Sequence, residues 1–513
     1  MGNTVSIGQI LQHAPASNSA IQAPDRPGLS YSDLCAFISR VGGQLRAAGV
    51  GRGARVAIAL PNGPEAATAF LAAANCAVAA PLNPGYKQDE FAYYLDDLSA
   101  AILLTGDLDG PAALAAKGLG IPVAQISVDP DTPAGTFSLD LPEGDPLPLA
   151  EAASDDQCLV LHTSGTTSRP KIVPLTHGNV AASAHNVANS LALTQGDTCL
   201  NVMPLFHIHG LIAAVLSSLT AGASIYCTPG FNALKVFGWM QASNPTWYTA
   251  VPTMHQAILA RAARNADAVA AARLRFIRSS SASLPPNVMA ELQDTFGCPV
   301  VEAYGMTEAA HQMACNPLGQ GTQVAGSVGL PAGPDVAILT GAGPTTQADQ
   351  LGEIVISGPN VTAGYESNDK ANAESFVSDA ASGKTWFRTG DQGRFDAGGY
   401  LFITGRLKEI INRGGEKISP REVDEILMEH PSVSQAVTFA VAHPQLGEDV
   451  AAAIVLNEGE DAAVSALRDF AAERLAGFKV PRKILILEEI PKGPTGKLQR
   501  IGLAKTLGLE ADA

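Results

Sequence analysis

RVAIALPNGPEAATAFLAAANCAVAAPLNP, residues 55–84, alternates an apolar strand pattern, an alanine-rich helical pattern and a second strand pattern. Residues 89–106 repeat this order, with the helical stretch DEFAYYLDDLSA before the apolar run AILLTG. Strands that alternate with helices of this length are typical of parallel sheets joined by crossover helices. The sequence therefore predicts an α/β fold whose large N-terminal domain contains parallel or mixed sheets flanked by helices.

The pattern changes towards the C-terminus. Residues 128–150 are rich in Pro, Gly and Asp and predict a surface connection, whereas residues 176–193 predict a helix. Between residues 323 and 404, short strands broken by glycine predict a small β-barrel-like part. The elements expected beyond it are helix 420–429, strands 434–441 and 450–456, helix 463–475 and strand 484–488. This last group predicts a small α+β domain.

Composition excludes several classes of protein. A net charge of −16 argues against non-specific binding to nucleic acid or to anionic membranes. Seven cysteines without a CxxC pair favour neither disulfides nor a zinc cluster, which fits a reducing compartment. The chain has no apolar run long enough for a membrane span, no secretory signal and no C-terminal peroxisomal tripeptide. We therefore expect a cytoplasmic protein, and the sequence leaves its oligomeric state open.

A loop rich in hydroxyl groups follows the apolar strand pattern QCLVL. Residues 161–174, LHTSGTTSRPKIVP, place five Ser or Thr side chains around Gly165 and end with Arg169 and Lys171. Backbone amides, hydroxyls and an ammonium group together suit a polyphosphate. The loop does not have the spacing of a Walker A motif, because Pro170 and Ile172 occupy its conserved positions. Taken alone, a solvated Ser/Thr turn explains the segment equally well.

Six motifs in order relate this loop to a known family. They are TSGTTSRPK (163–171), PLFHIHG (204–210), YGMTE (304–308), FRTGD (387–391), GRLKEIINRGGEKI (405–418) and PKGPTGKLQR (491–500). Together they resemble the acyl-adenylate-forming superfamily, which includes acyl-CoA synthetases, luciferases and peptide-synthetase adenylation domains. The resemblance covers nearly the whole chain. It implies an attack by a carboxylate on the α-phosphorus of ATP, followed by transfer of the acyl group to a thiol.

The resemblance assigns residues to ATP or AMP. Lys497 would bridge the attacking carboxylate and the α-phosphate, with Thr307 on that phosphate and Glu308 on Mg²⁺. Tyr304 would lie against adenine, and Asp391 would accept both ribose hydroxyls. The full set implied for ATP or AMP comprises Thr163, Ser164, Gly165, Thr166, Thr167, Lys171, Ser281, Glu302, Ala303, Tyr304, Thr307, Asp391, Arg406 and Lys497. Mg²⁺ would enter the site bound to ATP.

The resemblance also implies two domains and a rotation between them. It divides the chain into an AMP-binding domain at residues 1–404, a hinge at 405–408 and a mobile C-terminal domain at 409–513. Lys408 occupies the hinge position. After adenylation the small domain would turn, so that Gly414, Gly415 and Glu416 line the path of the pantetheine arm of coenzyme A, the second substrate.

A polar set of residues occupies the positions that line the acid pocket in this family. These residues are His207, His209, Arg278, Ser281 and His311. A fatty-acyl tunnel should be apolar, whereas imidazoles, hydroxyls and a guanidinium suit a short polar acid with a second carboxylate. The stretches FHIHG, IRSSSASL and MTEAAH most resemble those of oxalate–CoA ligases of plants and fungi. The hypothesis is that His209, Ser281 and His311 bind the distal carboxylate of oxalate.

Other functions stay open at this point. The acid could be malonate, a 4-coumarate-like aryl acid or a medium-chain fatty acid, and the thiol could belong to a carrier protein. A luciferase-like oxidation uses the same scaffold. From a different class, the chain could be a non-catalytic nucleotide-binding relative, although Glu308, Asp391 and Lys497 are all retained.

Overall fold

The computed structural model describes residues 6–141, 151–163, 170–319, 321–491 and 500–509. Within these residues the strands form four sheets, of nine, seven, six and five strands. The two largest sheets are mostly parallel and are packed with helices, so the predicted α/β class is confirmed.

The seven-stranded sheet contains the segment that predicted the fold. Its strands lie in the order Ser138–Asp140, Val123–Ser127, Ile102–Thr105, Arg55–Ala59, Val78–Pro81, Gln157–Thr163 and Lys171–Thr176. The five inner strands are parallel, and each edge strand is antiparallel to its neighbour. The predicted phosphate loop joins the last two strands of this sheet, at one edge.

The nine-stranded sheet carries Arg278, Glu302, Ala303, Tyr304 and His311 of the predicted site residues. Its strands lie in the order Leu330–Pro331, His311–Cys315, Val300–Met306, Phe276–Ser280, Trp247–Ala250, Thr198–Asn201, Ser224–Cys227, Ser19–Gln22 and Leu29–Ser30. The six strands from Val300–Met306 to Ser19–Gln22 are parallel, and the outer ones are antiparallel. Parallel strands point their carboxyl ends to the same edge, where ligands bind in folds of this class.

Two buried helices help to unite these sheets in one core. Pro64–Cys76 is rich in alanine and contacts strands of both sheets, because its small side chains allow close approach on several sides. His209–Leu216 is a π-helix with every residue buried. The remaining helical segments are Ile7–Leu11, Tyr31–Ala47, Gln88–Asp97, Pro111–Gly118, His177–Ser190, Ser217–Thr220, Val236–Ser243, Pro252–Ala262, Ala263–Asn265, Ala266–Ala271, Pro286–Phe296, Thr307–Ala309, Asp369–Ser375, Pro420–Met428, Val464–Ala472 and Leu503–Thr506.

Two smaller sheets complete the molecule. The antiparallel six-stranded sheet comprises Asp335–Thr340, Gly343–Thr345, Gly352–Ser357, Phe376–Ser378, Thr385–Phe395 and Leu401–Arg406. The five-stranded sheet comprises Ile411–Arg413, Glu416–Ile418, Val433–His443, Gly447–Leu456 and Lys483–Ile486. Residues 411–484 have their own hydrophobic cluster, which supports the expected small C-terminal domain.

The structure also bears on two predictions from composition. All seven cysteines are free thiols in the structure. Among the helices of the described ranges, none combines the length and the apolar character that crossing a membrane requires.

Candidate active site

The candidate site begins at the carboxyl ends of three neighbouring parallel strands of the nine-stranded sheet. These strands, Trp247–Ala250, Phe276–Ser280 and Val300–Met306, hold Thr249, Arg278 and Tyr304. Ser281 follows the middle strand directly, in the left-handed region with φ +73°. The register of the strands therefore brings together residues that lie up to 55 positions apart in the sequence.

Asp391 connects two of the residues predicted to contact the nucleotide. The hydroxyl of Tyr304 donates to Oδ2 of Asp391, and Nε of Arg406 donates to Oδ1 at 2.9 Å. Burial and the charge of Asp391 raise the pKa of the Tyr304 hydroxyl, and the same charge is the main reason why the pKa of Arg406 is raised. A carboxylate has further lone pairs, so Asp391 can still accept ribose hydroxyls.

The hinge segment starts next to Asp391. Gly390, with φ +75°, accepts a hydrogen bond from the backbone N–H of Leu407 at 2.9 Å. Lys408 is exposed one residue later. The hydroxyl of Ser419, in the smaller domain, donates to the carbonyl of Thr404. The predicted hinge is thus bonded on one side to Gly390, the neighbour of Asp391. Thr404, just before the hinge, is bonded to Ser419, which follows the strand Glu416–Ile418 of the C-terminal sheet.

Glu308, the predicted magnesium ligand, is buried beside an aromatic ring that the sequence did not single out. Tyr365 donates its hydroxyl to Oε1 of Glu308 at 2.8 Å. Burial raises the pKa of the Glu308 carboxyl, and the hydrogen bond from Tyr365 opposes that rise. Nζ of Lys171 lies 4.2 Å from the centroid of the same ring. The side chain of Tyr365 therefore contacts both Lys171, predicted to bind phosphate, and Glu308, predicted to bind the metal.

A single carboxylate of this kind fits magnesium bound to ATP. Mg²⁺ is usually held by one or two carboxylates together with substrate phosphates and water. Within the described part of the chain, no group of three or more His, Cys, Asp or Glu residues could hold a metal by itself. The donor set around Glu308 is therefore compatible with a metal that enters with the nucleotide.

Glu302 and Ala303 lie within the strand Val300–Met306, and Thr307 follows its carboxyl end directly. Thr307 begins the one-turn 3₁₀ helix Thr307–Ala309. Ala303 accepts, at its carbonyl, a hydrogen bond from the hydroxyl of Ser280 at 2.8 Å. Oε1 of Glu302 accepts the backbone N–H of Leu284 at 2.9 Å. Burial raises the pKa of Glu302 to about 7. Glu302 is thus a buried group of this region whose charge changes near neutrality.

Part of the predicted set falls on residues that are not described. Ser164, Gly165, Thr166, Thr167 and Lys497 lie outside the described ranges. The two ends of the predicted phosphate loop are described. Thr163 ends the inner strand Gln157–Thr163, Lys171 begins the edge strand Lys171–Thr176, and the two residues are paired across the antiparallel ladder.

A buried polar cluster brings together four residues predicted for the acid. Nδ1 of His209 lies 3.0 Å from Oγ of Ser281, and the rings of His209 and His311 stack with centroids 5.1 Å apart. Arg278 lies 3.0 Å from Nε2 of His311 and 3.4 Å from Nε2 of His209. His209, Arg278 and His311 are at most 1% exposed, and Ser281 is half-buried. The prediction that these residues share one site is consistent with this geometry.

Arg278 is a buried cation whose described hydrogen-bond partners are two imidazoles, an amide and a hydroxyl. Besides the two imidazoles, it donates to Oε1 of Gln312 at 3.1 Å and approaches the hydroxyl of Thr249 at 3.5 Å. In the described ranges it forms no ion pair with a carboxylate, and its Nε has no hydrogen-bond partner. Burial lowers the pKa of Arg278 to about 10, so the guanidinium stays charged at neutral pH. Among the described residues, Arg278 therefore carries a positive charge without a carboxylate partner of its own.

The backbone around this cluster is strained. Ser281, Ala310 and His311 all have positive φ, of 73°, 46° and 108°. Such conformations in residues other than glycine cost about 1–3 kcal/mol each and occur preferentially at functional sites. Gly305 supports the turn at His311, because a Cβ there would lie 2.1 Å from the His311 carbonyl oxygen.

His207 and the glycine of the PLFHIHG motif shape the start of the buried π-helix. Nδ1 of His207 accepts the backbone N–H of His209 at 3.3 Å. A Cβ on Gly210 would lie 2.3 Å from the carbonyl oxygen of Pro204, so only glycine allows this close approach. His207 therefore positions His209 through the backbone.

The residues predicted for coenzyme A form a hairpin in the C-terminal sheet. Gly414 and Gly415 have φ of +61° and +102°, as a two-residue hairpin loop between Ile411–Arg413 and Glu416–Ile418 requires. Gly414 donates its N–H to Leu446, and Arg413 forms an ion pair with Asp449. These contacts of the hairpin lie within its own domain. None of them involves the Tyr304–Asp391 pair or the Arg278 cluster.

Three further polar residues belong to the site although the sequence did not single them out. Tyr365 contacts Glu308, Thr249 lies 2.6 Å from Nε2 of His209, and Gln312 binds Arg278. Thr249 and Arg278 are register partners on adjacent strands. Only the strand register could have identified Thr249, because no motif surrounds it.

Family comparison matches both parts of the chain. Residues 12–366 match the AMP-binding enzyme family, and residues 422–497 match the AMP-binding enzyme C-terminal domain. The two matches follow the division between the large domain and the C-terminal sheet.

Several known proteins are similar over almost the whole chain. An oxalate–CoA ligase of Arabidopsis thaliana is 44% identical, over 94% of this chain and 96% of its own. A probable CoA ligase of Humulus lupulus is 43% identical, over 98% and 96%. An oxalate–CoA ligase of Saccharomyces cerevisiae is 40% identical, over 88% and 86%.

A solved structure has the same fold. The crystal structure of ATP-bound MatB from Rhodopseudomonas palustris superposes with a TM-score of 0.87 and is 28% identical, covering 98% of this chain and 99% of its own. The similarity thus extends over both domains.

Proposed function

The chain belongs to the AMP-binding enzyme family, as an AMP-forming CoA ligase, and we propose that the acid it activates is oxalate. The overall reaction would be oxalate, ATP and CoA to oxalyl-CoA, AMP and diphosphate. In the first step a carboxylate oxygen attacks the α-phosphorus of ATP and the bond to diphosphate breaks. In the second, the sulfur of CoA attacks the acyl carbon and AMP leaves.

The observation that carries the choice of oxalate is the unmatched charge of Arg278. A buried cation without an anion is costly, and a second carboxylate of the substrate would supply the missing negative charge. His209, Ser281 and His311 provide the nearby polar groups. Two relatives named oxalate–CoA ligases, 44% and 40% identical, support the same choice. A long apolar acid would leave the charge of Arg278 unmatched.

The roles proposed for adenylation are electrostatic. Lys497 and Thr307 would neutralise charge at the α-phosphate, and Lys171 with Thr163 to Thr167 would bind the outer phosphates. Asp391 would accept the ribose hydroxyls, and Tyr304 would pack on adenine. Glu308 would hold Mg²⁺, which supplies charge neutralisation to the phosphates when it is bound with ATP. Tyr365 supports Glu308 through its hydrogen bond of 2.8 Å.

Thioester formation would use the C-terminal domain. We place the division at residues 1–404 and 409–513, with the 405–408 hinge carrying Lys408 between them. Rotation about this hinge would withdraw Lys497 and bring Gly414, Gly415 and Glu416 to the acyl-adenylate. Oxalate and the domain rotation are separate parts of the proposal.

The test is acid-dependent release of diphosphate in the presence of CoA and Mg·ATP. Oxalate, malonate, sulfoacetate, 4-coumarate and octanoate are compared for the wild type and for Lys497→Ala. We expect selective turnover of oxalate that is lost in the variant, while thioester formation from supplied oxalyl-AMP survives. Lys505→Ala, which changes an exposed lysine of the C-terminal domain outside the proposed site, is the matched control.

The other outcomes separate the alternatives. Preference for octanoate or 4-coumarate would refute the argument from Arg278 and leave the ligase mechanism. Preference for malonate or sulfoacetate would retain a second anionic group and reject oxalate. A chain that binds ATP and releases no diphosphate with any acid would be the non-catalytic relative.

A further inference from the structure

The positive charge of Arg278 controls more than affinity, because it lies against the ring nitrogens of two histidines. We propose that Arg278 is a positioning residue that fixes His209 and His311 as neutral rings protonated at Nδ1, so that the hydroxyl of Ser281 donates to the acid. The inference rests on the proposed function only in assigning the acid to the Ser281 end of the cluster.

The contact between Arg278 and His311 gives the clearest evidence for a tautomer. A guanidinium has only donors, so the Nε2 atom 3.0 Å from Nη2 of Arg278 has to accept. An accepting Nε2 carries no proton, and a doubly protonated ring would place two positive charges in contact. His311 is therefore neutral, with its proton at Nδ1.

The same reasoning applies to His209. Its Nε2 lies 3.4 Å from Nη1 of Arg278 and 2.6 Å from the hydroxyl of Thr249. A proton on Nε2 could be donated only to Thr249 and would leave the guanidinium donor beside it without an acceptor on this ring, whereas an unprotonated Nε2 accepts from both neighbours. The proton of His209 then lies on Nδ1, which faces Oγ of Ser281 at 3.0 Å.

The direction of the last hydrogen bond matters for the substrate. When Nδ1–H of His209 donates to Ser281, the serine hydroxyl keeps its own hydrogen for another acceptor. With the opposite tautomer, that hydrogen would be used on Nδ1, and Ser281 would present lone pairs to the incoming carboxylate. Arg278 thus converts the half-buried end of the cluster into a donor for an anion.

Arg278 is held in place from behind. Gln312 accepts from Nη2, and its own amide donates to Ser190 at 3.0 Å and to the carbonyls of Asn186 and Ala332 at 3.3 and 3.2 Å. These bonds fix the amide orientation, so that its oxygen faces Arg278. The guanidinium is fully buried and reaches the acid through the imidazoles and Ser281.

The first experiment uses the free wild-type enzyme and needs no substrate. Full-length protein labelled with ¹⁵N-histidine is examined by two-bond ¹H–¹⁵N correlation, and signals are assigned by their loss in His209→Gln and His311→Gln. We expect both rings to be neutral at pH 7 and protonated at Nδ1. A proton on Nε2 of His311 overturns the proposal.

The second experiment removes the charge in Arg278→Met and keeps it in Arg278→Lys. For Arg278→Met we expect the His209 proton to move to Nε2 and kcat/KM for oxalate to fall by about 30-fold or more, with an unchanged KM for ATP. Arg278→Lys keeps the charge but has one donor nitrogen, which cannot occupy the positions of both Nη1 and Nη2, so it should recover part of the loss. Arg275→Met is the control for general destabilisation. It removes an arginine that lies close to Arg278 in the sequence and that forms an ion pair with Asp197.

The outcomes separate this inference from the choice of oxalate. If the wild type uses malonate or sulfoacetate instead, the kinetic comparison is made with that acid. Arg278→Met that retains wild-type tautomers and acid kinetics overturns the proposal. So does an equal loss of turnover for propionate and for the diacid, because a merely structural role would affect both. If Arg278→Met does not fold, the wild-type tautomers decide.

Discussion

Two neighbouring strands of the nine-stranded sheet bury an ionisable residue on opposite faces. Ser279 and Glu302 are register partners, as are Arg278 and Val301, so Arg278 and Glu302 point in opposite directions. Burial changes both pKa values, lowering that of Arg278 to about 10 and raising that of Glu302 to about 7. At neutral pH the guanidinium remains fully charged, whereas the carboxyl is close to half neutral.

The difference has a chemical basis. A guanidinium starts with such a high pKa that burial does not discharge it, whereas a buried carboxyl escapes the cost of its charge by taking up a proton. Only the face that carries Arg278 therefore keeps a permanent charge for an anion. The face of Glu302 responds to pH instead.

The largest effect is expected on the Arg278 face. His209→Ala combined with His311→Ala should lower kcat/KM for oxalate by about 1000-fold, because both imidazoles that accept from the charged Arg278 are lost together with the donor that orients Ser281. A hydrogen bond to a charged group is worth about 1.5–3 kcal/mol. The KM for ATP should stay near the wild-type value. Initial-rate kinetics with each substrate varied in turn measures both.

His255→Ala is the matched control for this variant, because His255 is equally buried and pairs with Tyr248, whose side chain lies on the other face. It should destabilise the protein and leave the preference for oxalate unchanged. Wild-type kcat/KM for oxalate in the double variant would contradict the assignment of the acid to this cluster.

The second prediction concerns Glu302 and the pH dependence of stability. Its folded pKa, about 7, lies above the ordinary value of 4.5. Between these pH values Glu302 holds a proton in the folded chain that it has released in the unfolded chain. The contribution of Glu302 to the free energy of unfolding is therefore greatest at the acid end of this range. It falls by about 1.4 kcal/mol per pH unit until pH 7. From pH 5 to 8, the free energy of unfolding should fall by about 2–3 kcal/mol more in the wild type than in Glu302→Gln.

Urea unfolding at several pH values measures this difference. Glu291→Gln removes an exposed carboxyl and should reproduce the wild-type profile. Parallel profiles for wild type and Glu302→Gln would mean that the carboxyl is not protonated in the folded chain, and the contrast between the two faces would fail.

The third prediction concerns Glu308, a buried carboxyl that does have a donor. Tyr365→Phe keeps the ring beside Lys171 and removes the hydroxyl that binds Oε1 of Glu308. Without this bond the carboxylate is less well positioned for Mg²⁺, so the KM for Mg·ATP should rise about 10-fold with little change in the KM for oxalate.

Steady-state kinetics at several Mg²⁺ concentrations tests this prediction. Tyr248→Phe is the control, because it removes another buried tyrosine hydroxyl, one bonded to His255. An unchanged KM for Mg·ATP in Tyr365→Phe would show that Glu308 needs no support from Tyr365.

The smallest effect is expected far from both faces, at the hairpin of the C-terminal domain. Gly414→Ala forces a left-handed residue to carry a Cβ, which would lie 3.0 Å from Cδ2 of Leu446. The strain of about 1–2 kcal/mol should slow CoA-dependent consumption of supplied oxalyl-AMP about fivefold and leave diphosphate release unaffected.

Gly383→Ala is the comparison for that variant. Gly383 also has positive φ, 71°, and no atom lies within 4 Å of its added Cβ. Single-turnover measurements of each step separate the two variants. Equal slowing in both would attribute the effect to loss of stability rather than to the hairpin.

The sequence predicted elements whose pattern is local. The alanine-rich helical pattern within 55–84 and the helix expected at 420–429 are Pro64–Cys76 and Pro420–Met428. Apolar residues at helical positions and a proline in the first turn mark both directly. The prediction of a surface connection at 128–150 missed part of the structure of this segment. It contains the strand Ser138–Asp140, and Phe137 is buried with its ring 4.9 Å from that of Phe37, a contact set by residues distant in the sequence.

The site was predictable wherever a motif names the chemistry. His209, Arg278, Ser281 and His311 do come together, since their motifs lie at the ends of elements that meet. Thr249, Gln312 and Tyr365 could not be identified in this way. Their roles depend on strand register and on the π-helix at His209–Leu216, which periodicity does not distinguish from an ordinary buried helix.

The distribution of cysteines makes the proposed domain rotation accessible to labelling. All seven free thiols lie between Cys35 and Cys315, and residues 409–513 contain none. Burial raises the pKa of every one of them, which suppresses the reactive thiolate. Replacement of the two half-buried thiols, Cys35 and Cys76, would leave a nearly silent background. One cysteine introduced into each domain could then carry a pair of spectroscopic probes, and the distance between them would report the turn of the small domain during catalysis.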